Sequence, residues 1–304
     1  MTILVVGATG LLGRATALAL LKDGKRVRAM VRDRARAADL AQAGAEIVDG
    51  DLTDPDSLER ACKGALRVFA AAHSMLGRGR YSSAQVDHVG HSALIAAARG
   101  AGVARFVYTS VLGAREGHPI DFFRTKFEIE EVLRESGLPF TILRPSAFME
   151  CHVHRFNGKL LLDKGSTFLI GPATKPRNFV AVRDVVPIAV EALVTDSLVG
   201  RTIAIGGPDN LSNLDVALMY QTRARQGKVR HLPLPAARTL ATLVRPFHEG
   251  VARVLDIGLV PDDQWPEEFD PREMLAEFPR TLTTVDQFVE ERVREWRRAR
   301  VGRR

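Results

Sequence analysis

The clearest chemical feature of the sequence is a glycine-rich turn close to its first residue. Residues 7–13 read GATGLLG, directly after the apolar run 3–6 and directly before a stretch rich in Ala and Leu. Glycines between a strand and a helix allow a sharp turn and a close backbone approach to phosphate oxygens, which the free N–H groups of a helix N-terminus can bind. The spacing therefore predicts a dinucleotide site; the alternative is a tight turn without a ligand.

Basic residues follow the second predicted strand, where the ribose of an adenosine would lie. An acidic residue at this point favours NAD, and a basic one accommodates the 2′-phosphate of NADP. The chain has Arg32 here, then Asp33, with Arg34 and Arg36 close behind. Arg32 can stack on adenine and pair with phosphate, so the sequence favours NADP(H), with NAD(H) still possible. Alternatively, these arginines only solvate the start of a helix.

Polar residues also follow the third and fifth predicted strands. Asp51, with Leu52 beside it, would lie next to the adenine and accept a hydrogen bond from its exocyclic amine, or would only cap the turn at 53–56. Ser110 ends the fifth strand, where its hydroxyl could orient a substrate or cap a turn.

A regular alternation of apolar runs and helical stretches must position these residues. Predicted strands cover residues 3–6, 26–32, 46–48, 66–72, 105–110 and 140–144, and predicted helices cover 11–22, 34–43, 88–99 and 122–136, with a further helix start at Pro55. Strand–helix–strand units of this length make right-handed parallel crossovers. The sequence predicts an α/β fold, with a Rossmann-type doubly wound parallel sheet over residues 1–150.

The alternation stops after Pro145. Short runs at 179–182 and 202–205 read as strands among loops and helices. Residues 151–304 are therefore predicted to form a smaller C-terminal substrate-side lobe and tail.

Several short motifs, in this order and spacing, resemble the NmrA-like family. This family belongs to the atypical short-chain dehydrogenase/reductases and has isoflavone-reductase-like and quinone-reductase-like relatives. The motifs are GATGLLG at 7–13, VR at 31–32, GDL at 50–52, YTSVLGA at 108–114, Lys126-x-x-x-Glu130 and LRPSAFME at 143–150. The resemblance covers residues 1–150 well and 176–206 more weakly. It implies an NADP(H)-binding domain and a variable C-terminal substrate lobe.

The same resemblance implies cofactor contacts along one edge of the predicted sheet. The implied contacts are Gly7, Thr9, Gly10, Leu11 and Leu12 at the pyrophosphate, Arg32 at the 2′-phosphate, Ala71, Ala72 and His73 at the nicotinamide-side ribose, and Pro145 and Phe148 at the nicotinamide.

The pair Phe122-x-x-x-Lys126 decides what chemistry is expected. Related tyrosine-dependent enzymes carry Tyr-x-x-x-Lys at this point, a spacing that puts both side chains on one helix face. Phe122 has no proton to give, so the usual carbonyl-reduction machinery is missing. Lys126 is predicted to hold the cofactor ribose, or to act as a general acid if burial lowers its pKa. Alternatively, it is a surface lysine paired with Glu130 at i+4.

Histidines supply the remaining candidate acids. His152 and His154 follow the implied nicotinamide region and could donate a proton in a substrate pocket, or are polar loop residues. His88 and His91 lie three apart on a predicted helix. A metal site needs three or four closely spaced ligands, so no metal is expected.

Composition restricts the class of protein. The net charge of +7 is concentrated between Glu291 and Arg304, which carry seven arginines and two glutamates. A solvated helix end explains this better than nucleic-acid binding, which needs a basic face. Neither a signal peptide nor a membrane span is expected. With only Cys62 and Cys151, a cytoplasmic location is predicted.

Two classes of function fit these observations. The first is an NADP(H)-dependent oxidoreductase that passes hydride to a small quinone-like or unsaturated carbonyl acceptor. The second is a non-catalytic NADP(H)-binding redox sensor or accessory or assembly protein, with a protein partner at the C-terminal lobe or the Arg-rich tail. The pocket residues that would identify a substrate carry no motif.

Overall fold

The structure, a computed structural model, describes residues 1–260 and 268–301. The parts of the predicted C-terminal lobe and tail at 261–267 and 302–304 lie outside the described residues.

Twelve strands run through the described residues. They are β1 Thr2–Val6, β2 Arg26–Val31, β3 Glu46–Asp49, β4 Arg67–Ala70, β5 Arg105–Thr109, β6 Phe140–Pro145, β7 Ala147–Phe148, β8 Ser166–Ile170, β9 Pro176–Val180, β10 Arg201–Ile205, β11 Asn210–Ser212 and β12 Lys228–Leu232.

Helices connect the strands. The described α-helices are α1 Leu11–Lys22, α2 Ala38–Gln42, α3 Pro55–Cys62, α4 His91–Gly100, α5 Asp121–Glu135, α6 Lys159–Lys164, α7 Val182–Val194, α8 Asn213–Ala224, α9 Leu234–Val244, α10 Glu249–Ile257, α11 Arg272–Glu277 and α12 Val285–Val301. Short 3₁₀ turns lie at Arg34–Ala37 and Gly79–Tyr81, and π-helical segments at Ala84–Gly90 and Met149–Gly158.

Seven strands form one sheet in the order β10-β6-β5-β4-β1-β2-β3. The pairs from β3 across to β6 are parallel. Every residue of β5 is buried, as expected for a parallel strand that helices cover on both faces. The predicted Rossmann-type α/β fold is confirmed. Because β1 and β4 are neighbours at the centre, the order reverses there, which opens a crevice at their carboxyl ends.

The chain divides into two compact units. The first contains Met1–Arg144, Val185–Ala204 and Phe247–Gly250, and the second contains the remaining described residues. The chain thus leaves the first unit after Arg144 and returns to it at Val185, within α7. The predicted boundary at residue 150 stays a prediction about domains.

An apolar core fills the first unit. Leu4, Val68 and Phe106 from the strands pack with Leu94 and Ile129 from the helices, all fully buried. These positions come from the apolar strand runs and from the inner faces of α4 and α5, so the same pattern that predicts the elements also builds their core.

The second unit has its own core beneath α8, α12 and the π-helical segment Met149–Gly158. Met149, Val153, Tyr220 and Val289 are fully buried there. Two small sheets belong to it, in the orders β11-β9-β7 and β12-β8.

The arginines from Arg292 to Arg300 lie on α12. Arg294 pairs with Glu290, Arg292 pairs with Glu295, and the guanidinium of Arg300 lies over the ring of Trp296. These contacts favour the interpretation of a solvated helix end over that of a free docking arm.

Several predicted elements were wrong in detail. The helix predicted at 34–43 is a 3₁₀ turn followed by α2, and the helix predicted at 88–99 begins earlier, as a π-helical segment at Ala84. The strand predicted at 179–182 ends at Val180, and α7 begins at Val182. Side-chain caps and local hydrogen bonds set these ends, and the apolar pattern does not contain them.

Among the residues that the structure describes, no helix combines the length and the apolar character needed to cross a bilayer.

Candidate functional site

The glycine-rich turn lies between β1 and α1. Gly7 has φ +85°, and a Cβ at this position would lie 2.6 Å from the backbone N of Ala72. A Cβ on Gly13 would overlap the carbonyl oxygen of Gly7. Only glycine fits either position. The turn is therefore in close contact with Ala71 and Ala72, which follow β4.

The N-terminus of α1 is open to an anion. Gly10 is its N-cap and supplies no side-chain hydrogen bond, and the first turn contains no acidic residue. The first backbone N–H groups of a helix have no partner within it, and they carry the positive end of the helix dipole. Thr9 is half-buried, Leu11 is exposed and Leu12 packs inward, so a diphosphate fits this turn.

Arg32 follows β2 and faces an aromatic ring. Its guanidinium carbon lies 4.8 Å from the ring centroid of Tyr81. The hydroxyl of Tyr81 donates to Asp51 Oδ2 at 3.1 Å. The two residues predicted to meet the adenosine, Arg32 and Asp51, are therefore joined by one tyrosine.

Asp51 has two kinds of partner. Its Oδ1 accepts from the backbone N–H and the hydroxyl of Thr53, at 2.9 and 3.0 Å. Burial would raise the pKa of Asp51, but the hydrogen bonds from Thr53 and Tyr81 outweigh it and hold the pKa below its usual value. The predicted turn cap is therefore present, and the second oxygen accepts from Tyr81; the adenine contact of Asp51 stays a prediction. Leu52 beside it is buried.

Two more charged residues after β2, Asp33 and Arg34, have partners of their own. The carboxylate of Asp33 accepts from the backbone N–H of Ala35 at 3.0 Å and so caps the 3₁₀ turn. Arg34 pairs with Asp49 at 2.9 Å. Asp33 is thus occupied by its own backbone, and this weakens the only sequence feature that favours NAD at this position.

Lys126 is buried within α5, with only 2% of its surface exposed. Its Nζ donates to the carbonyl of Thr109 at 3.1 Å and lies 3.9 Å from Asp87 Oδ1. Burial lowers the pKa of Lys126, and the charges of Asp87 and Glu130 oppose that shift. The alternative of a surface lysine paired with Glu130 is wrong.

Phe122 lies one turn before Lys126. The lysine Nζ is 5.7 Å from the Phe122 ring centroid, so the two side chains share the face that the spacing predicts. The ring of His73, which is exposed, meets Phe122 edge-on at 5.9 Å. The place of the usual proton-donating phenol is therefore filled by an apolar ring.

Ser110 is bonded away from the sheet edge. Its hydroxyl donates to Glu130 at 2.5 Å. Glu130 is fully buried and also accepts from Arg134 and Arg144, at 3.0 and 2.5 Å. This network favours a structural role for Ser110 and explains why Glu130 does not reach Lys126.

Two further polar side chains lie in the core beside Lys126. His91 Nδ1 is bonded to the carbonyl of Val86 at 2.9 Å, and its ring meets that of Tyr108 at 5.4 Å. Burial lowers the pKa of His91 to about 4. His88, in contrast, faces outward, with Nε2 3.7 Å from Glu128.

The residues implied at the nicotinamide end fall into both units. Ala71 donates its N–H to Val6 at 2.9 Å, which places Ala71 and Ala72 directly beside the Gly7 turn. Pro145 ends β6 and is buried, and Phe148 in β7 pairs in register with Val180. Both belong to the second unit, and their role at the nicotinamide stays a prediction.

His152 and His154 lie on a π-helical segment rather than in a loop. The ring of His152 meets Phe156 edge-on at 5.6 Å. His154 Nδ1 lies 3.1 Å from the hydroxyl of Tyr220, and burial lowers the pKa of His154 to about 4. A neutral, partnered imidazole favours packing over proton donation, and the proton-donor role stays a prediction for both.

Metal ligands do not gather in the described part of the chain. Over residues 1–260 and 268–301, no three His, Cys, Asp or Glu side chains are placed to hold an ion.

The sequence profile of the NmrA-like family matches residues 1–255. The chain belongs to the NmrA-like family. Among its relatives, it is 30% identical over 238 residues to the photosystem II assembly factor Ycf39 of Cyanophora paradoxa, covering 77% of this chain and 72% of that protein. It is also 30% identical over 224 residues to the NAD(P)H azoreductase of Xenophilus azovorans, covering 73% of each protein.

Solved structures share the NmrA-like fold. An NADPH-dependent quinone oxidoreductase of Escherichia coli superimposes with a TM-score of 0.74 at 20% identity, covering 96% of this chain and 99% of that one. At this identity the likeness concerns the fold alone.

Sequence reasoning missed four residues of this NmrA-like site: Arg80, Tyr81, Asp87 and Tyr108. For Asp87 the sequence contains a weak signal. It is a single carboxylate between Val86 and an Ala-rich stretch, and an acidic side chain in such an apolar stretch needs a cationic partner if it is buried. Arg80 and Tyr81 lie in a loop, where no periodic pattern exists to predict their neighbours.

Proposed function

We propose that this NmrA-like protein is an NADP(H)-dependent oxidoreductase that reduces a small quinone-like or unsaturated carbonyl compound. One observation carries the proposal. Three features lie at the carboxyl edge of one parallel sheet: the Gly7 turn after β1, Arg32 after β2, and Lys126 on α5, the helix after β5. On the same helix, Phe122 takes the place of the usual acid.

The binding half of the proposal rests on the turn and on the charge near it. The N–H groups at the start of α1 receive the pyrophosphate, and Arg32 receives the adenosine 2′-phosphate. The carboxylate of Asp33 is held at the start of the 3₁₀ turn by the N–H of Ala35, which leaves Arg32 as the charged residue offered to the phosphate.

Lys126 orients the ribose on the nicotinamide side. Its ammonium donates to the carbonyl of Thr109 and lies beside Asp87, so its side chain is already held in one conformation. A remaining N–H can then donate to a ribose hydroxyl. Such pre-organisation supplies rate through position rather than through proton transfer.

The missing phenol restricts the acceptor. When bound, NADPH supplies a hydride from its nicotinamide ring. A simple ketone then needs a proton at its oxygen, which Phe122 cannot give. A quinone takes its protons from water after reduction, so an apolar wall at Phe122 is compatible with quinone-like acceptors.

A relative supports a reductase of this kind. The azoreductase of Xenophilus azovorans is 30% identical over most of its length. It is an NAD(P)H azoreductase, and an azo compound is an acceptor other than a simple ketone, which agrees with an acceptor that needs no phenol.

The test is steady-state oxidation of NADPH over a panel of quinones, enones, azo dyes and simple ketones. We expect turnover with at least one of the first three classes and none with simple ketones. Firm NADPH binding without turnover on any acceptor would overturn the proposal. Lys126→Met should lower kcat, whereas a matched change at the exposed Lys22, Lys22→Met, should not.

A second candidate is a non-catalytic NADP(H)-binding assembly or sensor protein. The similarity to the photosystem II assembly factor Ycf39 favours it, and so does Phe122, because loss of the acid also fits a chain that only binds. Its signature would be tight NADPH binding, no turnover, and capture of a partner that depends on the nucleotide.

A further inference from the structure

A short loop after β4 closes on a single carboxylate. The backbone N–H of Ser74 donates to both oxygens of Asp87, at 3.1 and 3.0 Å, and the hydroxyl of Ser83 donates to Oδ2 at 2.7 Å. Asp87 is fully buried. Both ends of loop 74–83 are therefore fixed by a group that cannot move into solvent.

The loop is also bonded to itself. The Ser74 hydroxyl donates to the carbonyl of Tyr81, and the N–H of Gly77 donates to the carbonyl of Ser74 at 2.9 Å. A Cβ on Gly77 would overlap the Tyr81 carbonyl. A loop so tightly closed holds its tip at a defined place, and that tip carries Arg80 and Tyr81.

Arg80 meets the same tyrosine as Arg32. The Arg80 guanidinium carbon lies 4.7 Å from the Tyr81 ring centroid, and that of Arg32 lies 4.8 Å from it. The two cations are thus held close together by one ring. Arg80 also donates to the Tyr81 hydroxyl at 2.7 Å and lies 3.7 Å from Asp51.

One carboxylate lies within this cluster. The guanidinium groups of Arg32 and Arg80 both contact the Tyr81 ring, and the Tyr81 hydroxyl is bonded to Asp51. About 70% of the Arg80 side chain is exposed, so a ligand can reach it. A phosphate monoester carries close to two negative charges and binds arginine through paired hydrogen bonds. Two guanidinium groups held side by side are therefore suited to bind one phosphate.

We propose that Arg80 is a second residue for the adenosine 2′-phosphate, delivered by loop 74–83, and that it selects NADP(H) over NAD(H) together with Arg32. The inference rests on the proposed cofactor. The Tyr81 hydroxyl holds Arg80 toward that position, so Tyr81 is a positioning residue rather than a ligand of the phosphate.

The experiment uses the full-length protein and two small probes, 5′-AMP and 2′,5′-ADP, which differ only in the 2′-phosphate. Calorimetry gives a Kd for each with the wild type, Arg80→Gln and the matched control Arg78→Gln, which removes an equal charge from the same loop. We expect Arg80→Gln to weaken 2′,5′-ADP about tenfold, or about 1.4 kcal/mol, and to leave 5′-AMP unchanged.

Two further variants separate a phosphate contact from general charge. Arg80→Lys should recover part of the loss, because a lysine keeps the charge without the fork. Tyr81→Phe should give a smaller loss that is again confined to 2′,5′-ADP, because it frees Arg80 without removing it. Thermal melts of each variant check that the fold is retained.

The outcomes distinguish this inference from the function on which it rests. If the wild type binds neither 2′,5′-ADP nor NADPH, both are overturned. If the wild type prefers 2′,5′-ADP but Arg80→Gln behaves like Arg78→Gln, or weakens both probes equally, then Arg80 only pairs with Asp51 and this inference alone is wrong.

Discussion

The two ends of the sheet edge in the first unit are built in opposite ways. At the adenosine end, Arg32 and Arg80 lie at the surface around Tyr81. At the other end, Lys126 is 2% exposed and its ammonium is held by a carbonyl and a buried carboxylate. One end presents exposed charge to a ligand, and the other keeps a buried charge inside the protein.

This difference separates binding from chemistry. Exposed arginines cost little to maintain and gain much from a phosphate dianion, so they select a ligand. A buried ammonium is costly and is tolerated only with its partner Asp87. With Phe122 beside it, that end offers no phenolic proton, which fits the proposed protein that binds NADP(H) and catalyses only undemanding reductions.

The largest effect should come from the turn that serves both ends. Gly7→Ala places a methyl group 2.6 Å from the Ala72 backbone at a residue with positive φ. We expect NADPH affinity to fall by about a hundredfold or more, equivalent to about 3 kcal/mol. The control is Gly24→Ala, which has positive φ and open space around it. That change should cost about 1 kcal/mol of stability and leave binding intact, as urea unfolding and calorimetry would measure.

Asp87→Asn should show that the lysine end is structural as well as functional. Removing the carboxylate leaves Lys126 buried without its nearest counter-charge, at a cost of about 3 kcal/mol in the free energy of unfolding. Asp49→Asn breaks an exposed pair with Arg34 and should cost much less stability, because solvent screens exposed pairs. Equal losses in urea denaturation would show that burial does not distinguish the two ends.

Acid should destabilise the protein through His91 in the buried end. Burial holds the pKa of His91 at about 4 in the folded chain, below its ordinary value of about 6.5. Its contribution is therefore complete above about pH 6.5 and is lost as the pH falls toward 4. Between about pH 8 and pH 5, the wild type should lose about 2 kcal/mol more than His91→Asn. Parallel slopes for the two proteins would contradict this.

Phe122→Tyr should have the smallest effect and sharpens the account of the chemistry. If water supplies the protons, an added phenol beside Lys126 should change kcat for a quinone by less than about twofold. A simple ketone is the informative control, because it should gain activity where the wild type has none. A large gain with the quinone would show that proton supply limits the wild type.

Periodicity explains how much of this could be predicted. Apolar runs predict the six strands from β1 to β6. The Gly7 turn and Arg32 are then recognised as candidate site residues because they come directly after β1 and β2. The arginine after β2 is informative because strand ends in a parallel sheet converge on a ligand. These features depend on neighbours close in sequence.

Features that depend on distant neighbours could not be predicted. Ser110 looks free in the sequence, but Glu130 takes its hydroxyl. The helix start at Ala84 and the loop it anchors depend on Asp87 meeting Ser74 and Lys126. In the second unit, β8 carries an exposed Phe168 on a short two-stranded sheet, and so it lacks the clean alternation that marks a strand.

The most direct test of the account is calorimetric titration of the wild type and Arg32→Ala with NADPH and with NADH. We expect the wild type to bind NADPH at least about tenfold more tightly than NADH, a margin of about 1.4 kcal/mol. Arg32→Ala should lose this margin while its NADH affinity stays the same. If neither nucleotide binds the wild type, the glycine turn is only structural and the account is contradicted.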